Sequence, residues 1–379
     1  MIRSNFSRGL STVAGRTSDA EAVLQVTVFA TFRVGGPQVR FAALANHLGR
    51  SFRHIIVAMD NQFDCKSLLD PSLDITFRSF DIDKAKIFAN LRMFRKFLGG
   101  IKPDVLVTHN WGSIEWALAN WPGLVRHIHI EDGFGPEEAA RQLPRRALAR
   151  RALLGRSQVV VASHKLEQIA TGIWKLDPHI VHFVPNGIDC ERFAAGAEPI
   201  VPAGAPTIGT VAALRREKNL PRLIEAFRTL RENMPCRLVI AGDGPERSIL
   251  EEQVERLGLG EDVIFLGHRT DTERVYASLS IYVLSSDTEQ MPLSVIEAMA
   301  AGLPVVSTDV GDVREMVSAG NREFIRGDDA ETLALNLGTL LESRQAEHIG
   351  AHNQIKARED FSQVKMFSAY EALLRGAVI

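Results

Sequence analysis

Short apolar runs, each the length of a buried strand, recur at 23–29, 55–58, 105–108, 125–130 and 159–162. Between them apolar residues fall at helical spacing, as in Val39, Ala42, Ala43, Leu44 and Leu48, a series that stops at Gly49. After an Ala/Gly/Pro-rich stretch at 194–206 the alternation resumes with runs at 207–212, 263–267, 281–284 and 305–308, and with 238–245, which ends in a glycine loop. From about residue 330 onward the pattern is helical. Strands alternating with helices predict doubly wound parallel sheets of the α/β class, with ligand chemistry at the strands' carboxyl ends. The two series predict domains over 21–187 and 188–355, with a turn-favouring hinge at 181–193 around Asn186 and Gly187, and a separate last helix at 356–379.

At 379 residues the chain exceeds one typical hydrophobic core, in keeping with two domains. Its 45% hydrophobic and 24% charged residues describe an ordinary soluble protein, and a formal net charge of −2 gives no reason to expect nucleic acid. Cys65, Cys190 and Cys236 lie far apart without a CxxC pair, which argues against disulfides or zinc and for a reducing cytoplasm. No uncharged apolar run approaches the ~18 residues needed to cross a bilayer, so any membrane contact would be peripheral. Residues 1–20 are rich in Ser, Thr and Arg, lack an acid before Asp19 and show no apolar stripe; they read as a disordered leader, with a transit peptide as the alternative.

The densest signal lies at 281–309. An apolar run leads into a polar loop at 285–290; Pro292 then suits a first helical position, and Gly302 with Pro304 ends the helix. Glu289 on the loop and Glu297 on the helix have seven residues between them. The helix start at Pro292, Leu293 and Ser294 offers free backbone N–H groups and a positive dipole end, a seat for phosphates. A carboxylate further along a helix can accept two bonds from a ribose diol, and one on the loop can do the same for sugar hydroxyls. Ribose, diphosphate and sugar in a row make a nucleotide sugar. By spacing alone both glutamates would pass for ordinary surface acids. The segment, however, resembles the E-x7-E region of the retaining glycosyltransferases of family four, approximately S-x-x-E-G-x-P-x-x-x-x-E-A-M-A-x-G-x-P-V-V. Ser286, Glu289, Pro292, Glu297, Ala298, Met299, Ala300, Gly302, Pro304, Val305 and Val306 match, and Gln290 replaces the glycine.

That resemblance runs over nearly the whole chain from Val23 and implies the GT-B fold. Two Rossmann-like domains would face a central cleft, the first binding the acceptor and the second most of the donor, with the last helix crossing back to the first. It implies transfer of a hexose from a nucleoside diphosphate sugar to a glycan or lipid-linked acceptor, with retention, without a metal and without a cofactor. Glu289 would hold the transferred sugar while the departing phosphate helps to deprotonate the acceptor. Gly35 and Gly36 match the family's glycine loop at the donor diphosphate. Lys218 matches the family's lysine, Ala213 takes the place of its arginine, and Arg215 supplies a cation two residues further on. Gly242 and Gly244 would lie near the base, as would His268; the full G-x-G-x-x-G fingerprint of a nicotinamide site is lacking.

On the acceptor side, His109 and Asn110 follow one strand and His129, Glu131 and Asp132 another. Family members carry a histidine immediately before this loop's glycine. Asp132 stands there instead, so the role passes to Asp132 or His129, or the acceptor is recognised differently. An acid here can bind hydroxyls, or take a proton if burial raises its pKa. Arg40 on the first turn of its helix either faces the ligand or is solvated. Arg141, Arg145, Arg146 and Arg150 predict a basic helix over 137–155, suited to anionic lipid at the inner membrane face, to an acceptor diphosphate, or simply to solvent. Two other readings remain open. One is a sugar-nucleotide epimerase or phosphorylase of the same fold. The other is a catalytically idle sugar-nucleotide-binding or membrane scaffold protein, which the changes at Ala213, Asp132 and Gln290 keep in view.

Overall fold

The computed structural model describes residues 22–377 except 84, 135, 139, 140, 195 and 203; the expected leader at 1–20 lies outside the described residues. Seven strands form the first sheet: β1 (Val23–Phe29), β2 (Phe52–Ala58), β3 (Ile75–Arg78), β4 (Val105–His109), β5 (Arg126–Glu131), β6 (Gln158–Val161) and β7 (Val181–Phe183). Their order is β3-β2-β1-β4-β5-β6-β7 and every pairing is parallel. The second sheet holds β8 (Thr207–Val211), β9 (Arg237–Ala241), β10 (Val263–Gly267), β11 (Ile281–Leu284) and β12 (Val305–Ser307), parallel in the order β10-β9-β8-β11-β12. Interior strands such as β4 and β11 are buried along their whole length and read as unbroken apolar or β-branched runs, because helices cover both faces. β3 is an edge strand with three of four residues exposed, so its apolar signal was too weak to predict.

Strand order reverses between β1 and β4 in the first sheet and between β8 and β11 in the second. Each reversal opens a crevice at the carboxyl ends of two strands whose connections leave in opposite directions. The loops after β1, β4 and β5 and those after β8 and β11 line a single cavity, so the two crevices confront each other across the domain boundary.

The chain crosses between domains twice, and the crossings are bonded together. Ile188 N–H donates to Phe361 O at 2.9 Å, and Gln363 N–H donates to Ile188 O at 2.8 Å. Gly187 serves this junction by allowing close approach and not by an unusual backbone angle. It is not among the positive-φ glycines, but a Cβ would stand 2.8 Å from Ser362 O. The last helix, Gln363–Arg375, then packs Met366, Phe367, Tyr370 and Leu373 with Leu44, Phe52, Val107 and Ile128 of the first domain. Two local expectations shift. Pro292 caps the helix Leu293–Ala300 from outside, with an extended ψ of 122°, and Pro144 opens the helix Pro144–Leu154, so 141–143 lie outside it. Among the described residues no helix is long and apolar enough to cross a membrane.

Candidate functional site

The interdomain cavity measures about 660 Å³. Arg215, Glu217, Lys218, Thr288, Glu289 and Gln290 line its C-terminal wall. The loop after β8 is stitched to the loop after β11: Ser285 Oγ donates to Lys218 O at 2.9 Å, and Asp287 N–H donates to Glu217 O at 2.9 Å. This brings Lys218 Nζ to 2.6 Å from Glu289 Oε1, which also accepts from Ser286 Oγ at 2.7 Å. Arg215 extends into solvent at the rim, 62% exposed.

A second cavity of about 330 Å³ belongs to the C-terminal domain alone and is bordered by Gly242, His268, Arg269, Leu293, Ser294 and Glu297. Tyr276 Oη donates to Glu297 Oε2 at 2.8 Å. Burial lifts the Glu297 carboxyl to about 7, against the opposing pull of that hydroxyl. Leu293 and Ser294, the start of the helix that carries Glu297, border this cavity.

Gly242 and Gly244 serve this wall by letting loops touch. Both have positive φ, 138° and 159°, and a Cβ on them would stand 1.8 Å from Ala212 O and 2.4 Å from Leu214 O. Their N–H groups are already bonded, to Gly267 O and to Asp243 Oδ1, so they bring 212–214 into place rather than donating to a phosphate. Likewise Gly35 and Gly36 start the helix Gly36–Leu48 without bordering the cavity; Pro37 reaches it.

The N-terminal wall is built on Asp132. Its carboxylate is ion-paired with Arg40 at 2.6 Å and stands 3.7 Å from His109 Nδ1. Its backbone N–H donates to Asn110 Oδ1 at 2.7 Å. Burial by itself would raise this carboxyl, but the Arg40 guanidinium overcomes burial and, with His109, holds it at about 2. Asp132 therefore remains a carboxylate, which removes the proposal that burial tunes it into a base. Arg40 is buried, and its Nη1 donates to Asn186 Oδ1 of the hinge at 2.7 Å. Asn186 Nδ2 in turn donates to Met291 O at 3.0 Å, beside the Glu289 loop.

Three acceptor-side candidates do not reach the cleft. His129 is fully buried, its Nδ1 2.8 Å from Thr108 Oγ1. Glu131 is fully buried against Arg150 Nε at 3.3 Å. His109 stacks on Phe29 at 4.1 Å and is 4% exposed. Strand parity explains the first two: β5 continues to Glu131, so residues 127, 129 and 131 all point into the same packed layer. The four arginines of the expected basic helix do not form one face. Arg150 is enclosed by Glu131, Glu138, Trp111, Phe134 and Trp174, and Arg146 pairs with Glu137 and Glu138 at 3.2 Å each on the cleft wall. Arg141 and Arg145 are exposed. The charge spacing predicted one basic face because it could not show which acids and rings would fold onto it.

Trp111, Phe134 and Gln290 border the cavity and escaped the sequence reading as site residues. For Gln290 the signal was present, since it replaces the expected glycine; its side chain meets Ser163 Oγ of the N-terminal domain at 3.3 Å. Across the same boundary, the Asp312 carboxylate accepts from the N–H groups of His164 and Lys165 at 2.5 and 3.2 Å. Among the described residues, no group of three or more His, Cys, Asp or Glu is placed to hold a metal ion.

Comparison with known proteins agrees with this architecture. The D-inositol 3-phosphate glycosyltransferase of Corynebacterium urealyticum is 29% identical over 274 residues, covering 64% of each chain. The GDP-mannose-dependent alpha-mannosyltransferase of Mycobacterium tuberculosis is 30% identical over 188 residues, 47% of each. The chain thus spans less than two thirds of the length of these curated relatives. Among solved structures, a glycosyltransferase from Rickettsia africae superposes with a TM-score of 0.79 at 18% identity, covering 93% of this chain and 98% of that one. Anabaena HepE in complex with UDP and glucose gives 0.77 at 19%, covering 93% and 99%. The model of Glycosyltransferase Family 4 matches residues 34–192 and that of Glycosyl transferases group 1 matches 197–359, and with both halves of the cleft so accounted for, the chain belongs to the family-four glycosyltransferases and has their GT-B fold.

Proposed function

We propose that this protein transfers a hexose from a nucleoside diphosphate sugar to a hydroxyl of a glycan or lipid-linked acceptor, with retention and without a metal ion. The observation that carries the reading is the Lys218–Glu289 pair, which faces Asp132 across one cavity at the meeting of two switch-point crevices. In this reading the diphosphate lies between Lys218, Arg215 and the start of the helix Leu293–Ala300, which meet the charge that builds on the leaving group. Glu297 accepts the ribose hydroxyls and Glu289 those of the hexose. The bond from the anomeric carbon to the phosphate oxygen breaks as the acceptor oxygen bonds on the same face. The acceptor's proton passes to the departing phosphate, and closure of the domains keeps water out.

HepE was solved with UDP and with UDP-glucose, and one curated relative is named for GDP-mannose, so UDP- and GDP-linked hexoses come first in a donor screen. A donor at a hundred times its Kd stabilises a folded protein by about 2.7 kcal/mol, a melting shift that is easily read. Formation of a product sugar with retained configuration then tests the reaction; stabilisation by a donor without any turnover would leave only a binding protein. Chelation by EDTA is expected to leave the transfer rate within about twofold, since cationic groups of the chain itself meet the diphosphate.

Because the ribose hydroxyls favour the ionised Glu297, affinity for UDP-glucose is expected to rise between about pH 6 and 8 and to level off above its pKa of about 7. Glu297→Gln should bind about tenfold more weakly, with no such slope. Titration calorimetry of both proteins across this range checks it, and an unchanged slope in the variant would remove Glu297 from the ribose site.

A further inference from the structure

The acceptor wall bears on what kind of group the enzyme glycosylates. We propose that Trp111 and Phe134 form a subsite for an uncharged sugar ring, so that the unit receiving the transferred hexose is itself a neutral pyranose. The inference rests on the donor–acceptor reading above and narrows its acceptor side.

The backbone is specially arranged to put the indole there. Asn110, the residue before it, has φ 54° and ψ −179°, a region that residues other than glycine avoid at a cost of about 1–3 kcal/mol. Two bonds hold that conformation: Asn110 N–H donates to Ile130 O at 2.8 Å, and its Oδ1 accepts from Asp132 N–H at 2.7 Å. Gly112 allows the same turn to rest on the end of β1, since a Cβ would stand 2.5 Å from Ala30 Cβ. The strained turn leads Trp111 to the cavity, beside Asp132.

The rings are held before any ligand arrives. The guanidinium groups of Arg146 and Arg150 lie over the indole at 5.1 and 5.0 Å, and Phe134 meets Trp174 edge-on at 6.1 Å. Both arginines are already compensated. Arg146 pairs with Glu137 and Glu138, and Arg150 with Glu131 and Glu138. This wall therefore offers apolar ring surface together with an exposed carboxylate, Glu137, that can accept hydrogen bonds, and its arginines are spoken for. A pyranose can lay its C–H face on an aromatic ring while its hydroxyls donate to the carboxylate. A phosphate at the same place would meet the exposed carboxylate of Glu137 and would find the wall's arginines already paired.

The test uses the full chain saturated with UDP and titrated by calorimetry or saturation-transfer NMR with methyl glucoside, methyl mannoside and methyl N-acetylglucosaminide. Glucose 6-phosphate and glycerol 3-phosphate serve as the anionic probes. At least one methyl glycoside should bind, each phosphorylated probe about tenfold more weakly, and Trp111→Ala should weaken the glycoside about tenfold while UDP binding holds. Trp111→Phe, which keeps a ring and guards against a misfolded alanine variant, should retain most of the affinity. The subsite is overturned if no methyl glycoside binds, if a phosphorylated probe binds as tightly, or if Trp111→Ala binds the glycoside like the wild type. A wild type that binds glycosides through Trp111 but does not bind UDP would sink the donor assignment and leave this subsite standing.

Discussion

Glu289→Gln is expected to slow transfer by about a hundredfold or more while the affinity for UDP stays the same or tightens a few fold. The two effects diverge because Glu289 has two duties. Its carboxylate lies 2.6 Å from Lys218 Nζ and neutralises the cation that a diphosphate would need. The donor must therefore compete with Glu289 for Lys218, and a glutamine, carrying no charge, competes less well. During transfer the same carboxylate, freed from Lys218, would accept the hexose hydroxyls, a role an amide fills poorly in a pocket where Glu289 is only 11% exposed. Lys218→Met should show the reverse pattern, with donor binding lost first. Calorimetry with UDP beside single-turnover rates separates the cases. If Glu289→Gln lost binding and rate in equal measure, the acid would be holding the loop together, not the sugar.

Glu289, Glu297 and Lys218 were singled out by the family resemblance, Glu289 and Lys218 on short connections that follow buried strands and Glu297 on the helix that one of them launches. Such connections are fixed locally, by the strand's apolar run and the helix's proline and glycine punctuation. Pairings between distant segments were not legible. Arg40 on its helix showed no sign of whether it met solvent or a carboxylate; only the placement of the loop after β5 beside the helix start makes the ion pair with Asp132. Arg150 read as one cation in a basic stripe, yet it is buried between two acids and three rings drawn from other segments. Glu131 was misplaced by a single residue of strand length, since β5 ends at Glu131 rather than at 130. His129 already lay inside the predicted run, and the parity it shares with Glu131 sends both into the packed layer. The fold was readable because burial on two faces leaves a long, redundant signal, whereas a site assembled from several loops leaves one residue of signal per loop.

Arg40→Met is expected to destabilise the protein by about 3–5 kcal/mol at neutral pH, the usual result of removing one partner of a buried ion pair. Arg40 and Asp132 are 7% and 10% exposed, so water cannot take over from the guanidinium. The pH dependence distinguishes this cause from a simple packing loss. In the wild type, Arg40 holds Asp132 at about 2, below its unfolded value near 4. Its contribution to stability is therefore present above about pH 4 and is lost as the pH falls through the folded value. In the variant, burial, the largest influence on this carboxyl, acts unopposed by Arg40 and raises its pKa. The variant is then relatively most stable where Asp132 is protonated, and it loses stability as the pH rises. The gap between the two proteins should be widest near neutrality and should shrink toward about pH 4, as followed by urea denaturation across that range. Adding Asp132→Asn to the variant should recover part of the loss at pH 7, because the unpaired charge is gone. Parallel stability curves, or a double variant no better than the single one, would mean that Arg40 matters for its bond to Asn186 and its place beside Tyr370, and that Asp132 is held ionised by something else.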